Sequence, residues 1–166
     1  DLILFDAEDH GQPSDGGGFP QMQDSWCLGS QYWGKNPHVS GYNANFGILL
    51  DMVGSKNARF TKDGTSRRFA NDIVEKVWKE AQKGGYSAYF VSANTNELID
   101  DHLYVNQLTG IPTIDIINRP VKSDTGFGEY WHTHNDDMEV IDRATLNATG
   151  QTVLNVIYKA SVGKLQ

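Results

Sequence analysis

Asp6-Ala7-Glu8-Asp9-His10 packs four titratable side chains into five positions directly after an apolar run, Leu2 to Phe5. Carboxylates and an imidazole at the carboxyl end of a strand can bind a cation or move protons, whereas the same pentapeptide can also be a solvated acidic turn capping the next helix. Asp51 interrupts Ile48-Leu49-Leu50-Asp51-Met52-Val53-Gly54. A carboxylate buried in such a run costs several kcal/mol unless a metal, hydrogen-bond donors or a salt bridge compensate it. Asp100-Asp101-His102 opens an apolar segment. One of its acids suits a helix N-cap, and the pair beside an imidazole also suits a shared proton or an acid that orients a base. Phe127 to Asp137 carries His132 and His134 with Asp136 and Asp137, flanked by Phe127 and Trp131. Imidazole is the commonest metal ligand. Together these groups point to a hard or borderline cation held by carboxylates and one imidazole, with an unligated carboxylate beside it. A catalytic zinc takes three protein ligands and keeps one position open, so two from this chain leave the shell one short.

Strands and helices must bring these groups together. Leu2 to Phe5, Gly47 to Val53, Ala88 to Val91 and Thr113 to Ile117 read as strands, apolar enough to be buried on both faces. Ser66 can cap a helix with Phe69, Ile73, Val77 and Ala81 on one face and Gly84-Gly85 as its stop. A second long helix starts near Asp142, with Leu146, Val153, Leu154 and Ile157 on its buried side; shorter helices fit Trp26 to Trp33 and Asp101 to Thr109. Strands alternating with helices predict a three-layer α/β/α sandwich around a mostly parallel sheet, with chemistry in loops at strand ends.

The chain has 166 residues, 39% apolar, with a net charge of −7. That length fits one domain over residues 1–166, and the composition excludes a disordered chain. No basic run is present and no apolar stretch could span a bilayer, so nucleic acid and membrane insertion drop out. A lone Cys27 excludes internal disulfides and multi-cysteine zinc sites; it reads as a buried small side chain. Gln12 to Gln23 reads as an irregular loop whose glycines lack the spacing of a phosphate-binding turn. Because the sequence opens on a strand, we expect it to be the C-terminal portion of a larger catalytic domain, whose N-terminal segment supplies neighbouring strands and site residues.

Phe5-Asp6-Ala7-Glu8-Asp9, Leu49 to Gly54, Asp100-Asp101-His102, Ile111-Pro112 and Trp131-His132-Thr133 resemble, in order, the signature blocks of zinc-dependent exopeptidases of the aminopeptidase and glutaminyl cyclase clan. With Asp24 to Ser30, the wording looks most like glutaminyl-peptide cyclotransferases of the Bacteroidetes type. The resemblance implies Glu8 as general acid/base, Asp9 as the adjacent metal ligand where most relatives carry Glu, and His132 as the C-terminal zinc ligand. It implies Asp51 as a ligand of the second metal in two-zinc aminopeptidases, or as an acid near the metal in one-zinc cyclases. Asp101 matches the acid hydrogen-bonded to the base system, and Trp131 and Phe127 match pocket walls. Asp115 stands where animal cyclases carry His, and with Asp100 it belongs behind the ligands. The remaining ligand, an Asp, is expected upstream of this chain.

The activity that this resemblance implies is conversion of an N-terminal Gln of a peptide or protein to pyroglutamate with loss of ammonia, using one zinc ion. The alternatives are a two-zinc aminopeptidase and a catalytically silent peptide-binding domain. Relatives of this type are exported, so the resemblance implies a periplasmic or exported protein.

Overall fold

The computed structural model describes residues 1–9, 11, 12, 22 and 24–166; His10 and nearly all of the loop expected over Gln12 to Gln23 lie outside them. In chain order its elements are α1 (Leu28–Lys35), β1 (Gly47–Asp51), β2 (Phe60–Lys62), α2 (Gly64–Lys83), β3 (Phe90–Asn94), α3 (Asp101–Thr109), β4 (Thr113–Ile117) and α4 (Arg143–Ser161). Both strand pairs are parallel. β1 runs beside β4 with Gly47 opposite Thr113 and Asp51 opposite Ile117, and β2 runs beside β3. An antiparallel bridge from Phe60 to Asn118 joins the pairs. Parallel neighbours require crossovers, which α2 supplies between β2 and β3 and the stretch containing α2, β3 and α3 supplies between β1 and β4.

All five residues of β4 are buried, and alternation along it separates two layers. Ile114 and Ile116 enter a core with Ala70, Ile73, Val74, Val77 and Trp78 of α2, Phe60, Phe90 and Val156 of α4. On the other face Asp115 meets His102 of α3, while Asn106 of α3 accepts from the Thr113 N–H at 3.0 Å and donates to the Thr113 carbonyl at 2.7 Å. The result is the expected mixed α/β arrangement, with parallel strands and helices on both faces. β1 is only half-buried and Leu50 is exposed, because among the described residues β4 is its sole strand neighbour.

Several local expectations are corrected. Leu2 to Phe5 forms no strand: no described residues pair with it, and Leu2 and Leu4 are 88% and 87% exposed. β2 has only three residues and carries too short a pattern to be read in sequence. The cap of α2 is Asp63, whose carboxylate accepts the Ser66 N–H at 3.0 Å, while the Ser66 hydroxyl accepts the Asp115 N–H at 2.8 Å. Phe69 faces outward because the helix is interrupted at Ala70 (φ −146°, ψ 42°), which puts the first turn out of phase with the Ile73, Val77, Ala81 stripe. Gly84 and Gly85 do end it, Gly85 at φ 83°. Asp142 caps α4 as expected, yet the helix buries Thr145, Ala148, Thr149, Thr152 and Val156 and leaves Leu146, Leu154 and Ile157 exposed. Its roll is set by polar ties: the Thr145 hydroxyl donates to the Ser55 carbonyl at 2.9 Å, and Lys159 reaches the buried Glu80 of α2.

Candidate active site

The segment Asp6 to Glu8 is held by the amino end of α1. Three N–H groups that a helix start leaves unsatisfied find its carbonyls: Cys27 donates to Glu8 O at 3.0 Å, Leu28 to Ala7 O at 3.1 Å and Gly29 to Asp6 O at 3.1 Å. Position 29 must be glycine, since a Cβ would lie 2.3 Å from the Asp6 carbonyl oxygen. The acidic turn therefore does cap the next helix, through its main chain, and this frees the Glu8 side chain to face inward. There the Cys27 Sγ lies 3.8 Å from Glu8 Oε1, and ligand atoms of Glu8, Cys27 and Asp100 gather within 4.8 Å of one another.

Asp51 ends β1, and Asp100 caps α3 by accepting the Asp101 N–H. These acids feel one another. Burial first, then the hydrogen bond and charge of Asp9 and the charges of Asp51 and Asp101, push Glu8 up to about 7. Burial pushes Asp51 up to about 6 against a Met52 backbone hydrogen bond, with Asp9, Asp101 and Asp136 adding to it. Asp100 is pushed up to about 8 by burial, the Asp51 charge and, more weakly, those of Glu8 and Asp101. Burial raises Asp101 as well. Asp115, fully buried and with neither carboxyl oxygen hydrogen-bonded among the described residues, is raised well above the carboxylate range by burial and by Asp100, Asp51 and Asp63. Burial first, then the charges of Asp101, Asp100 and Glu8, drive the Cys27 thiol up as well.

On the open side, His132 Nε2 lies 3.2 Å from Asp9 Oδ1, both partly exposed. Two ligand atoms on one tetrahedral zinc with bonds of about 2.0–2.1 Å stand roughly 3.3 Å apart, so this pair fits a shared metal. Trp131 stacks on His132 at 3.9 Å and on Phe127 at 4.5 Å between ring centroids, forming an aromatic wall beside the pair. Backbone conformation marks the same place. Ala7, Cys27, Met52 and His132 all have φ between 48° and 57°, a region that side-chain-bearing residues enter at a cost of about 1–3 kcal/mol and that concentrates at functional sites.

The expected residues thus fall into an exposed pair, Asp9 and His132, an aromatic wall, Phe127 and Trp131, and an acid group in which Asp100, Asp101 and Asp115 are buried and Glu8 and Asp51 are half-buried. Asp100, more than Asp101, comes close to Glu8. The residue order alone did not place Cys27 at the site or pair His102 with Asp63; neither had a signal beyond residue type.

Residues 1–157 match the Peptidase family M28. The chain belongs to peptidase family M28. Solved structures agree with that membership of M28. A Zn-dependent exopeptidase from Parabacteroides distasonis superposes with a TM-score of 0.89 at 55% identity, covering 93% of this chain and 52% of that one. A Bacteroides thetaiotaomicron glutaminyl cyclase bound to N-acetylhistamine gives 0.88 at 54% identity, over 93% and 52%. A leucine aminopeptidase precursor from Bacteroides thetaiotaomicron gives 0.86 at 53% identity, over 93% and 51%. The chain spans about half the length of these structures. A comparison with curated protein sequences gave no match. Among the described residues no helix is long and apolar enough to cross a membrane.

Proposed function

We propose that this M28 chain carries much of the active site of a zinc-dependent glutaminyl-peptide cyclotransferase, which closes an N-terminal Gln of a peptide into pyroglutamate and releases ammonia. The carrying observation is that Glu8 stands next to Asp9 yet outside the Asp9–His132 pair, half-buried against Cys27 and Asp100, with burial and the neighbouring Asp9 pushing its carboxyl up to about 7. A general acid/base works best with a pKa near the working pH. One zinc ion would be held by Asp9 and His132 with a third ligand, an Asp, from the part of the M28 fold that this chain does not span. Bound there, zinc supplies Lewis-acid polarisation of the γ-carboxamide carbonyl.

The chain's own groups do the rest. The α-amine attacks the γ-carbon of the carboxamide, the new C–N bond closes the ring, and ammonia leaves. Glu8 takes the proton from the attacking amine and returns it to the departing nitrogen. Asp100, with Asp101 and Asp51 around it, keeps a protonated acid group behind Glu8, so that its carboxylate is not left facing unpaired charge. Phe127 and Trp131 wall a small uncharged side chain and exclude water that could hydrolyse it. The same resemblance supports a periplasmic or otherwise exported protein.

The second reading is a two-zinc aminopeptidase. Its support is that the Asp51 carboxyl lies close enough to Asp9 to feel its charge, as a ligand of a second metal would, and that one similar structure is a leucine aminopeptidase precursor. A catalytically silent peptide-binding domain is the third. The deciding assay uses the intact protein with zinc and measures ammonia released from a Gln-initiated peptide against amine released from a leucyl anilide. Ammonia without anilide cleavage is the expected result; anilide cleavage alone selects the aminopeptidase, and neither selects the silent domain.

A further inference from the structure

We propose that Arg119 is a positioning residue for the aromatic wall: a guanidinium fixed just beyond β4 holds the Phe127–Trp131–His132 stack in place and so sets how tightly the site takes a substrate side chain. The effect on substrate rests on the cyclase reading of the site.

Arg119 is anchored on three sides. Its N–H donates to the Arg59 carbonyl at 3.1 Å, its carbonyl accepts the Thr61 hydroxyl at 3.2 Å, and its Nη1 donates to the Asn96 carbonyl at 3.0 Å. The backbone bonds tie it to Thr61 of β2 and to Arg59 just before that strand, and the side-chain bond ties it to the loop after β3. From this fixed point the guanidinium carbon sits 5.4 Å from the Phe127 ring centroid. Phe127 lies 4.5 Å from Trp131, and Trp131 lies 3.9 Å from His132 at 19° between planes. A continuous column therefore runs from a cation on the sheet end to the imidazole of the Asp9 pair. The loop backbone joins in. Gly126 adopts φ 85°, and a Cβ there would stand 3.4 Å from Arg119 Nη2. Next to Arg119, Asn118 Nδ2 donates to the Tyr130 hydroxyl at 3.2 Å, a second tie between the end of β4 and the same loop.

A planar guanidinium can lie against a ring while its edges keep hydrogen bonds, which a lysine ammonium cannot do. Without that face Phe127 loses its backing and the wall gains rotamer freedom, which a binding substrate must then give up. Glu8 is held separately, by the amino end of α1, so the proton transfer is left largely intact.

The test takes the intact, metal-loaded protein labelled with 5-fluorotryptophan. The four Trp residues give separate fluorine resonances, with Trp131 identified through Trp131→Phe. In Arg119→Met the Trp131 resonance should shift while those of Trp26, Trp33 and Trp78 stay. KM for a Gln-initiated peptide should rise about tenfold, with kcat within about twofold. Arg119→Lys should lie between. An unmoved Trp131 resonance, a shift of all four together, or complete recovery by Lys would overturn the proposal. If the wild-type protein does not turn over the peptide, the cyclase reading fails by itself, and the fluorine spectra still decide whether Arg119 holds the stack.

Discussion

His102 Nε2 lies 3.3 Å from Asp63 Oδ1, and both side chains are completely buried. Although burial pushes Asp63 up, hydrogen bonding and charge from His102, then Ser66, hold it below the usual carboxylate range. A carboxylate only accepts, so the Nε2 proton faces Asp63, and among the described residues Nδ1 has no hydrogen-bond partner. His102→Leu should cost on the order of 3 kcal/mol in urea unfolding at neutral pH, because it strands a buried charge. With a folded pKa below the unfolded one, the wild-type Asp63 stabilises above about pH 4 and loses this as pH falls further. In the variant the stranded acid is neutralised on acidification. The deficit should therefore shrink toward pH 4, and one that is constant with pH would contradict this account.

The acid group behind Glu8 has the opposite sign. Asp51 at about 6, Glu8 at about 7 and Asp100 at about 8 bind protons more tightly folded than unfolded. Their contribution is fully present below about pH 4 and is lost as pH rises through those values. With a chelator present, the melting temperature of the intact protein should fall between about pH 5 and 8. Zinc should reverse most of that fall, since a cation beside the cluster stabilises the ionised forms. A chelated protein whose stability rises over this range would show that the carboxyls are not held protonated.

Some of this was legible from residue order. Asp142 and Asp100 announce their helices because a short acceptor before an apolar segment satisfies free N–H groups, and TIDII at Thr113 announces a strand buried on both faces. Leu2 to Phe5 has a similarly apolar composition but no strand neighbour among the described residues, and a strand is defined by its ladder. The rolls of α2 and α4 depended on Ala70, on Glu80 with Lys159 and on Thr145 with Ser55, long-range or irregular features without a periodic trace. At the site the residue types were legible, yet the choice of Asp100 over Asp101 beside Glu8 depended on which of two adjacent side chains the start of α3 turns inward.

Glu8→Gln separates a proton carrier from a ligand. The amide keeps size and hydrogen bonding but cannot accept the amine proton. Turnover of a Gln-initiated peptide should drop at least about a hundredfold while zinc stays bound at the wild-type stoichiometry by elemental analysis. Loss of zinc in this variant would move Glu8 into the metal shell.

Asp51→Asn distinguishes the two zinc enzymes. The carboxyl ends an otherwise apolar strand and is raised to about 6 by burial and by Asp9, Asp101 and Asp136, so its charge has to be met by a metal or by a proton. In a two-zinc aminopeptidase the substitution removes an anionic ligand, and a second metal should leave together with hydrolysis of a leucyl anilide. In a one-zinc cyclase the amide keeps the shape and the hydrogen-bonding capacity, the ion stays with Asp9 and His132, and only the proton network behind Glu8 changes. Zinc per chain in wild type and variant, read beside ammonia and anilide assays, decides between them. We expect one zinc in both proteins, with slower ammonia release from the variant. A fall from two zincs to one, with anilide hydrolysis present in the wild type and abolished in the variant, would replace the cyclase with the aminopeptidase.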